Sequence, residues 1–276
     1  MKPAQCCTPA AHALFAKQMP QLETTAGLLR AASLLAMHQQ SRPRTDEVER
    51  VLGGYAKLVR SRVRGTQQQA TLAHLHAYLF DEFGFAGNVD DYYNPANSHL
   101  PDVLETKRGL PITLSLVYKV VAEKLGLTVS GVGLPGHFVV SVGTAEGAMI
   151  VDCYDSGRTL TPADCRARVE AIFADTVDFS DEMLRPVTHR MWLSRMVQNL
   201  LHVHTSAEQW VDVGALLELQ MLLWPRQPQL KRDLALVLAR IDRPEPASFW
   251  LDEYLKTNPD DPEAGELTSL LAKLSR

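Results

Sequence analysis

Residues 105–157 read ETKRGLPITLSLVYKVVAEKLGLTVSGVGLPGHFVVSVGTAEGAMIVDCYDSG, and their punctuation decides the fold. Ile112, Leu114, Leu116, Val117, Val120, Val121 and Leu125 leave little polar face beyond Lys119, Glu123 and Lys124. A helix that is apolar nearly all round is central and buried. Pro111 suits its first turn, where a missing N–H costs little, and Gly126 ends it. Residues 128–134, 137–142 and 148–154 then read as three short strands. The second and third are joined through 143–147, which predicts an antiparallel hairpin. His137 opens the second strand and Asp152 lies on the third, so the chain order is helix, strand with His, strand with Asp.

Upstream, the apolar residues of 11–39 recur at helical spacing, with Pro20 punctuating the run and Ser41-Arg-Pro-Arg44 breaking it. Residues 1–10 are expected to fray. Thr45 followed by Asp46, Glu47 and Glu49 marks a helix start with acidic residues in the first turn. That helix reaches about Arg64 despite Gly53-Gly54, and another covers 67–83 with Gly84 as its cap. Residues 84–104, rich in Gly, Asn, Asp and Pro and carrying Tyr92 and Tyr93, fit no single period and read as a long loop. Loops of that length inside a compact domain are often functional.

Downstream, Asp155-Ser-Gly157 is a turn, and Thr161-Pro162 opens a capped helix. Beyond about Pro186 the pattern is helical alone, beginning with a helix near 188–204. Pro225 and Pro259 lie 34 residues apart, as do Pro228 and Pro262. Leu217 matches Leu251 and Leu236 matches Leu270 at the same shift. A 34-residue period of paired helices is the tetratricopeptide signature. The predicted fold is therefore α+β: a helical N-terminal part with a small antiparallel sheet over 11–185, then all-α tetratricopeptide-like hairpins over 186–276.

The chain has 276 residues, 46% hydrophobic and 22% charged, with net charge −4. That balance suits a globular protein with a sizeable core and gives no basic excess for nucleic acid. No apolar run approaches the roughly 18 residues of a membrane span, and the first residues lack the apolar core of a secretory signal. Four cysteines are too few for a disulfide framework in a chain this long. A reducing cytoplasm is the expected setting. His74 with His76, and His202 with His204, are two apart and diverge on a helix, so no metal and no cofactor are expected.

Acyl transfer by a thiol needs an imidazole beside it, a third group to orient that ring, and a helix N-terminus that favours the thiolate. His137, Asp152 and the helix from Pro111 have the order this requires. The helix start carries no cysteine. Cys153 adjoins Asp152 but points to the opposite sheet face.

Five motifs, Phe83-Gly-Phe-Ala-Gly-Asn88, Tyr92-Tyr-Asn-Pro-Ala-Asn-Ser98, Arg108-Gly-Leu-Pro-Ile-Thr-Leu-Ser115, Gly131-Val-Gly-Leu-Pro-Gly-His-Phe138 and Asp152, resemble the transglutaminase-like superfamily. They look most like its bacterial SirB-type branch, also called transglutaminase-like core 2, which carries C-terminal tetratricopeptide repeats. The resemblance implies a papain-like or transglutaminase-like core in which His137 and Asp152 match two members of a Cys-His-Asp triad. Pro111 stands where that triad has Cys, and proline brings neither nucleophile nor N–H. A non-catalytic binding or regulatory protein is thus expected, with a peptide or small ligand held near Asn97, Pro111 and His137. Its protein or peptide partner would meet the repeats, with no nucleic acid or membrane involved. The alternative is an acyl-transfer enzyme or amide hydrolase using His137 and Asp152 with another nucleophile. Thr113 and Ser115, on the helix after Pro111, are the candidate hydroxyls; otherwise both would bond backbone carbonyls inside the helix.

Overall fold

A computed structural model describes residues 4–38, 43–65 and 67–275. The expected break at Ser41-Arg42 lies outside them. In chain order the regular elements are α1 (Pro9–Ala16), α2 (Thr25–Ser33), α3 (Thr45–Arg62), α4 (Gln68–His76), β1 (Ala86–Gly87), α5 (Leu100–Thr106), β2 (Arg108–Gly109), α6 (Pro111–Lys124), β3 (Val129–Val132), β4 (Val139–Thr144), β5 (Gly147–Asp152), β6 (Arg158–Leu160), α7 (Pro162–Phe173), α8 (His189–Ser206), α9 (Trp210–Leu223), α10 (Gln229–Arg240), α11 (Pro244–Thr257) and α12 (Ala264–Leu274). The chain divides into two compact units. One comprises 21–33 and 44–196; the other joins residues up to 20, 34–43 and those from 197 onward.

In the first unit α6 is the centre. Every residue from Pro111 to Ala122 is buried. Gly126, in the left-handed region, closes the helix as its N–H meets Glu123 O at 3.0 Å and that of Leu127 meets Ala122 O at 3.1 Å. This is the Schellman pattern. The sheet is antiparallel in the order β3-β4-β5-β6. Val140 pairs with Val151, and Asp152 with Arg158. The period of two puts Val140, Val142 and Val151 on the face toward α6. Val132, Val139, Ile150 and Leu160 lie on the other, with Cys165 and Val169 of α7 packed over them. A sheet covered on both sides explains why β4 begins with two successive valines, both buried.

Trp192 of α8 locks α6 to the sheet. Its Nε1 donates to Ile112 O at 3.2 Å, and its ring lies 4.7 Å from that of Phe138. A Cβ at Gly131 would come within 2.4 Å of the indole, so the sequence keeps glycine there.

Four local expectations need correction. The ladder of β4 begins at Val139, so His137 stands in the turn before the strand. A fourth strand, β6, follows the Asp155–Gly157 turn; three residues are too few to show a period. The 84–104 segment is only partly loop: it holds β1, which pairs in parallel with β2 just downstream, a 3-10 turn at Pro95–Ser98 and the start of α5. Its helix was hidden because seven residues barely span two turns. The 67–83 helix widens into a π-helical stretch, Ala77–Glu82, where Phe83 N–H bonds Tyr78 O at 3.0 Å.

The second unit stacks α9 to α12 as helical hairpins around Leu234, Leu238 and Leu251. Far from fraying, the segment at Gln5–Ala16 is bound within this unit. Buried Glu218 of α9 accepts from the backbone N–H groups of Gln5, Cys6 (3.1 Å) and Cys7 (2.7 Å). Arg243 donates to Gln5 O. Among the described residues no helix is long and apolar enough to cross a membrane.

Trp192→Ala should cost about 4 kcal/mol, because it opens a cavity at the α6–sheet seam and removes the indole's hydrogen bond to Ile112 O. Urea denaturation followed by far-UV circular dichroism measures this.

Candidate functional site

His137 and Asp152 meet. His137 follows the Pro135-Gly136 turn, which its own N–H closes onto Leu134 O at 3.2 Å. Asp152 ends β5 with no exposure, and His137 is 6% exposed. Their side chains approach at 2.8 Å, Nε2 to Oδ2. The same carboxylate meets Arg168 Nη1 at 2.9 Å through Oδ2, and through Oδ1 accepts from Tyr154 N (3.0 Å) and Asp155 N (3.3 Å). Arg168 also reaches Asp155 Oδ2 at 3.4 Å.

The sequence builds this by local rules. Thr161 and Asp164 form a capping box that starts α7 at Pro162. Arg168 follows two turns later on the sheet-facing side, above the face where the strand period places Asp152. Sequence reasoning missed Arg168, because nothing local to one arginine on an amphipathic helix tells which carboxylate it will meet.

Burial alone pushes the Asp152 carboxyl up. The hydrogen bond and charge of His137, with Arg168 beside them, outweigh it and hold the group below the ordinary carboxylate range. Asp152 is therefore an ionised acceptor, so Nε2 of His137 is the protonated nitrogen that donates to it. In the neutral ring Nδ1 is then the basic atom. Among the described residues no group hydrogen-bonds Nδ1. The pair is an oriented imidazole whose basic nitrogen is open to a ligand or water.

Pro111 is the first residue of α6 and is buried. Thr113 and Ser115 are fully buried, and neither hydroxyl bonds to an oxygen or nitrogen, so the expected back-bonds to helix carbonyls are not made. Ser115 instead lies beside the Cys153 thiol, on the sheet face away from Asp152. Neither hydroxyl hydrogen-bonds His137. Asn97 is buried, and its amide ties the 88–97 loop together. Nδ2 donates to Asp91 O (2.7 Å) and Tyr92 O (3.0 Å), while Oδ1 accepts from Asn88 Nδ2 at 2.9 Å.

Tyr154 connects that loop to the pair. Its hydroxyl donates to Asn88 O at 3.2 Å. Its ring stands edge-on to His137 and to Tyr92, both at 6.1 Å between centroids. Val89 (77% exposed) and Tyr93 (65%) leave an apolar rim on the loop. Among the described residues no three or more His, Cys, Asp or Glu side chains are grouped to hold a metal ion.

The cysteines are placed for packing. Burial, chiefly, with Asp152 adding to it, pushes the Cys153 thiol well up. Burial, with Glu218 beside them, pushes Cys6 and Cys7 up to about 12.

Residues 46–198 match the family model described as transglutaminase-like superfamily, and 200–272 match a tetratricopeptide repeat model. A UPF0162 protein of Xylella fastidiosa strain 9a5c is 29% identical over 92% of both chains. Another of Pseudomonas aeruginosa is 26% identical over 70% of this chain and 71% of its own. F-box only protein 21 of Mus musculus is 31% identical over 59% of this chain, which spans only 27% of that protein. No solved structure matches.

Asp152→Asn should destabilise the fold by about 3 kcal/mol near neutral pH, since it removes the buried charge that meets His137 and Arg168. Because the folded carboxyl lies below its unfolded value of 3.8, this contribution is complete above that value and fades as pH falls through the lower, folded one. Urea titrations of both proteins from pH 7 to pH 3 should show their difference shrinking only below about pH 4. Separately, native protein at pH 8 should resist iodoacetamide over times that fully alkylate the urea-unfolded chain, as intact-mass spectrometry would record.

Proposed function

We propose that this chain, which belongs to the transglutaminase-like superfamily, is a non-catalytic binding or regulatory protein. The His137–Asp152 pair engages a peptide or small ligand, and the tetratricopeptide hairpins engage a protein partner. His137 and Asp152 fall within the 11–185 domain, and the partner surface falls within the 186–276 repeats. The observation that carries this reading is Pro111 at the head of α6, where thiol chemistry would need a nucleophile. Thr113 and Ser115 are buried and neither hydroxyl hydrogen-bonds His137, which speaks against either as a substitute nucleophile. Asn97 acts by shaping the 88–97 loop. Free cysteines fit a reducing cytoplasm.

One observation favours a second reading, amide or ester hydrolysis with water as nucleophile. The basic Nδ1 of an oriented, Asp-paired imidazole is what a general base requires. The two readings separate in one experiment. Affinity capture from a bacterial lysate with native protein should recover a defined set of partners, and His137→Ala should reduce the ligand-dependent part about 10- to 100-fold, the worth of a hydrogen bond to a charged group. Unchanged capture by His137→Ala, together with His137-dependent turnover of acyl-amide substrates, would replace binding by catalysis.

A further inference from the structure

Arg195 of α8 is partly buried, and its guanidinium has no acidic partner. Among the described residues no carboxylate lies within 4 Å of it. Its contacts are the Phe138 ring, 5.7 Å from Cζ, and the field of Tyr92. A Cβ at Gly133 would sit 3.3 Å from Nη1, so the turn leading to His137 runs directly beside this group. Buried arginines are ordinarily paired, as Arg168 is with Asp152. Burial pulls the Arg195 pKa down, and among the described residues Tyr92 acts against it.

Three connections run from Arg195 toward the candidate site. Trp192, one turn earlier on the same helix, donates to Ile112 O, next to Pro111. Phe138, under the guanidinium, directly follows His137. Tyr92, whose phenol feels the Arg195 charge, is one ring removed from His137 through Tyr154.

We propose that Arg195 anchors the carboxylate of a peptide ligand whose adjoining backbone lies against His137 and the Tyr92–Tyr93 rim. The proposal rests on the binding reading of the His137–Asp152 pair and adds the chemical class of the ligand. A guanidinium presents a planar fork that fits a carboxylate through two parallel N–H···O bonds. Arg168 is already committed to Asp152 and Asp155, which leaves one unmatched positive charge here. One charge suits a carboxylate monoanion better than a phosphate dianion. The exposed Val89 and Tyr93 side chains offer the apolar contact that peptide side chains take and a bare inorganic anion does not.

The test uses the full chain with a mixed pool of N-acetyl tripeptides bearing free C-termini, the same pool amidated, and inorganic phosphate as competitor. Binding is read by saturation-transfer NMR and folding by near-UV circular dichroism. Native protein should bind the free-acid pool at least about tenfold more tightly than the amidated pool. Arg195→Gln should erase that preference with the fold intact, and Arg195→Lys should restore part of it. No binding of either pool at millimolar concentration, equal binding of both, or a preference that survives Arg195→Gln overturns the proposal. Phosphate competing as well as the free-acid pool overturns the carboxylate assignment. If His137→Ala weakens both pools while Arg195→Gln keeps the preference, the anchor fails and the binding reading stands. If only Arg195→Gln has an effect, the anchor stands and the role given to His137 in binding fails.

Discussion

A carboxylate with no access to water must be met by donors, or it will not stay ionised. Asp152 is met by an imidazole, a guanidinium and two backbone N–H groups. Each comes from a different piece of local structure: the Pro135-Gly136 turn, α7, and the tight turn that follows β5. Their mutual placement is therefore fixed by one charge. A buried ion needs geometry of this quality to offset its desolvation. In return the arrangement sets the His137 tautomer, which decides the nitrogen presented outward.

The second unit solves the same problem with different chemistry. Glu218 is also buried, but its donors are three successive backbone N–H groups at residues 5 to 7. Consecutive N–H groups converging on an anion form a nest, which needs no side-chain cation. The consequence is structural: a segment that composition marks as a loose end is tied to α9. Its two thiols are quenched by burial and by the same carboxylate.

The helix α6 is held in place by packing. Its all-round burial, its start at a proline and its seam with Trp192 are independent of any nucleophile. Packing of this kind resists change, since each core side chain is constrained by many neighbours. The framework around Pro111 folds with no nucleophile at that position. The same unit holds a buried, oriented imidazole, an aromatic rim and, at Arg195, a guanidinium with no carboxylate within 4 Å among the described residues.

Sequence alone determined the parts governed by period and punctuation. The apolar density of 112–125, the alternation around 137–152 and the 34-residue spacing of Pro225 and Pro259 report burial on a helix, a strand and a repeated hairpin, and each is a property of near neighbours. Asp152 and His137 were legible as a pair for the same reason, since hairpin register follows from the strands. Tertiary structure decided what came from far along the chain. Arg168 reaches Asp152, Glu218 captures residues 5 to 7, and Arg195 meets no carboxylate among the described residues. Asn97 turns its amide inward to hold a loop, and Ser115 faces Cys153 and not His137. Charge and hydrogen-bond partners are settled by which surfaces come together when the core closes, and no local periodicity encodes that.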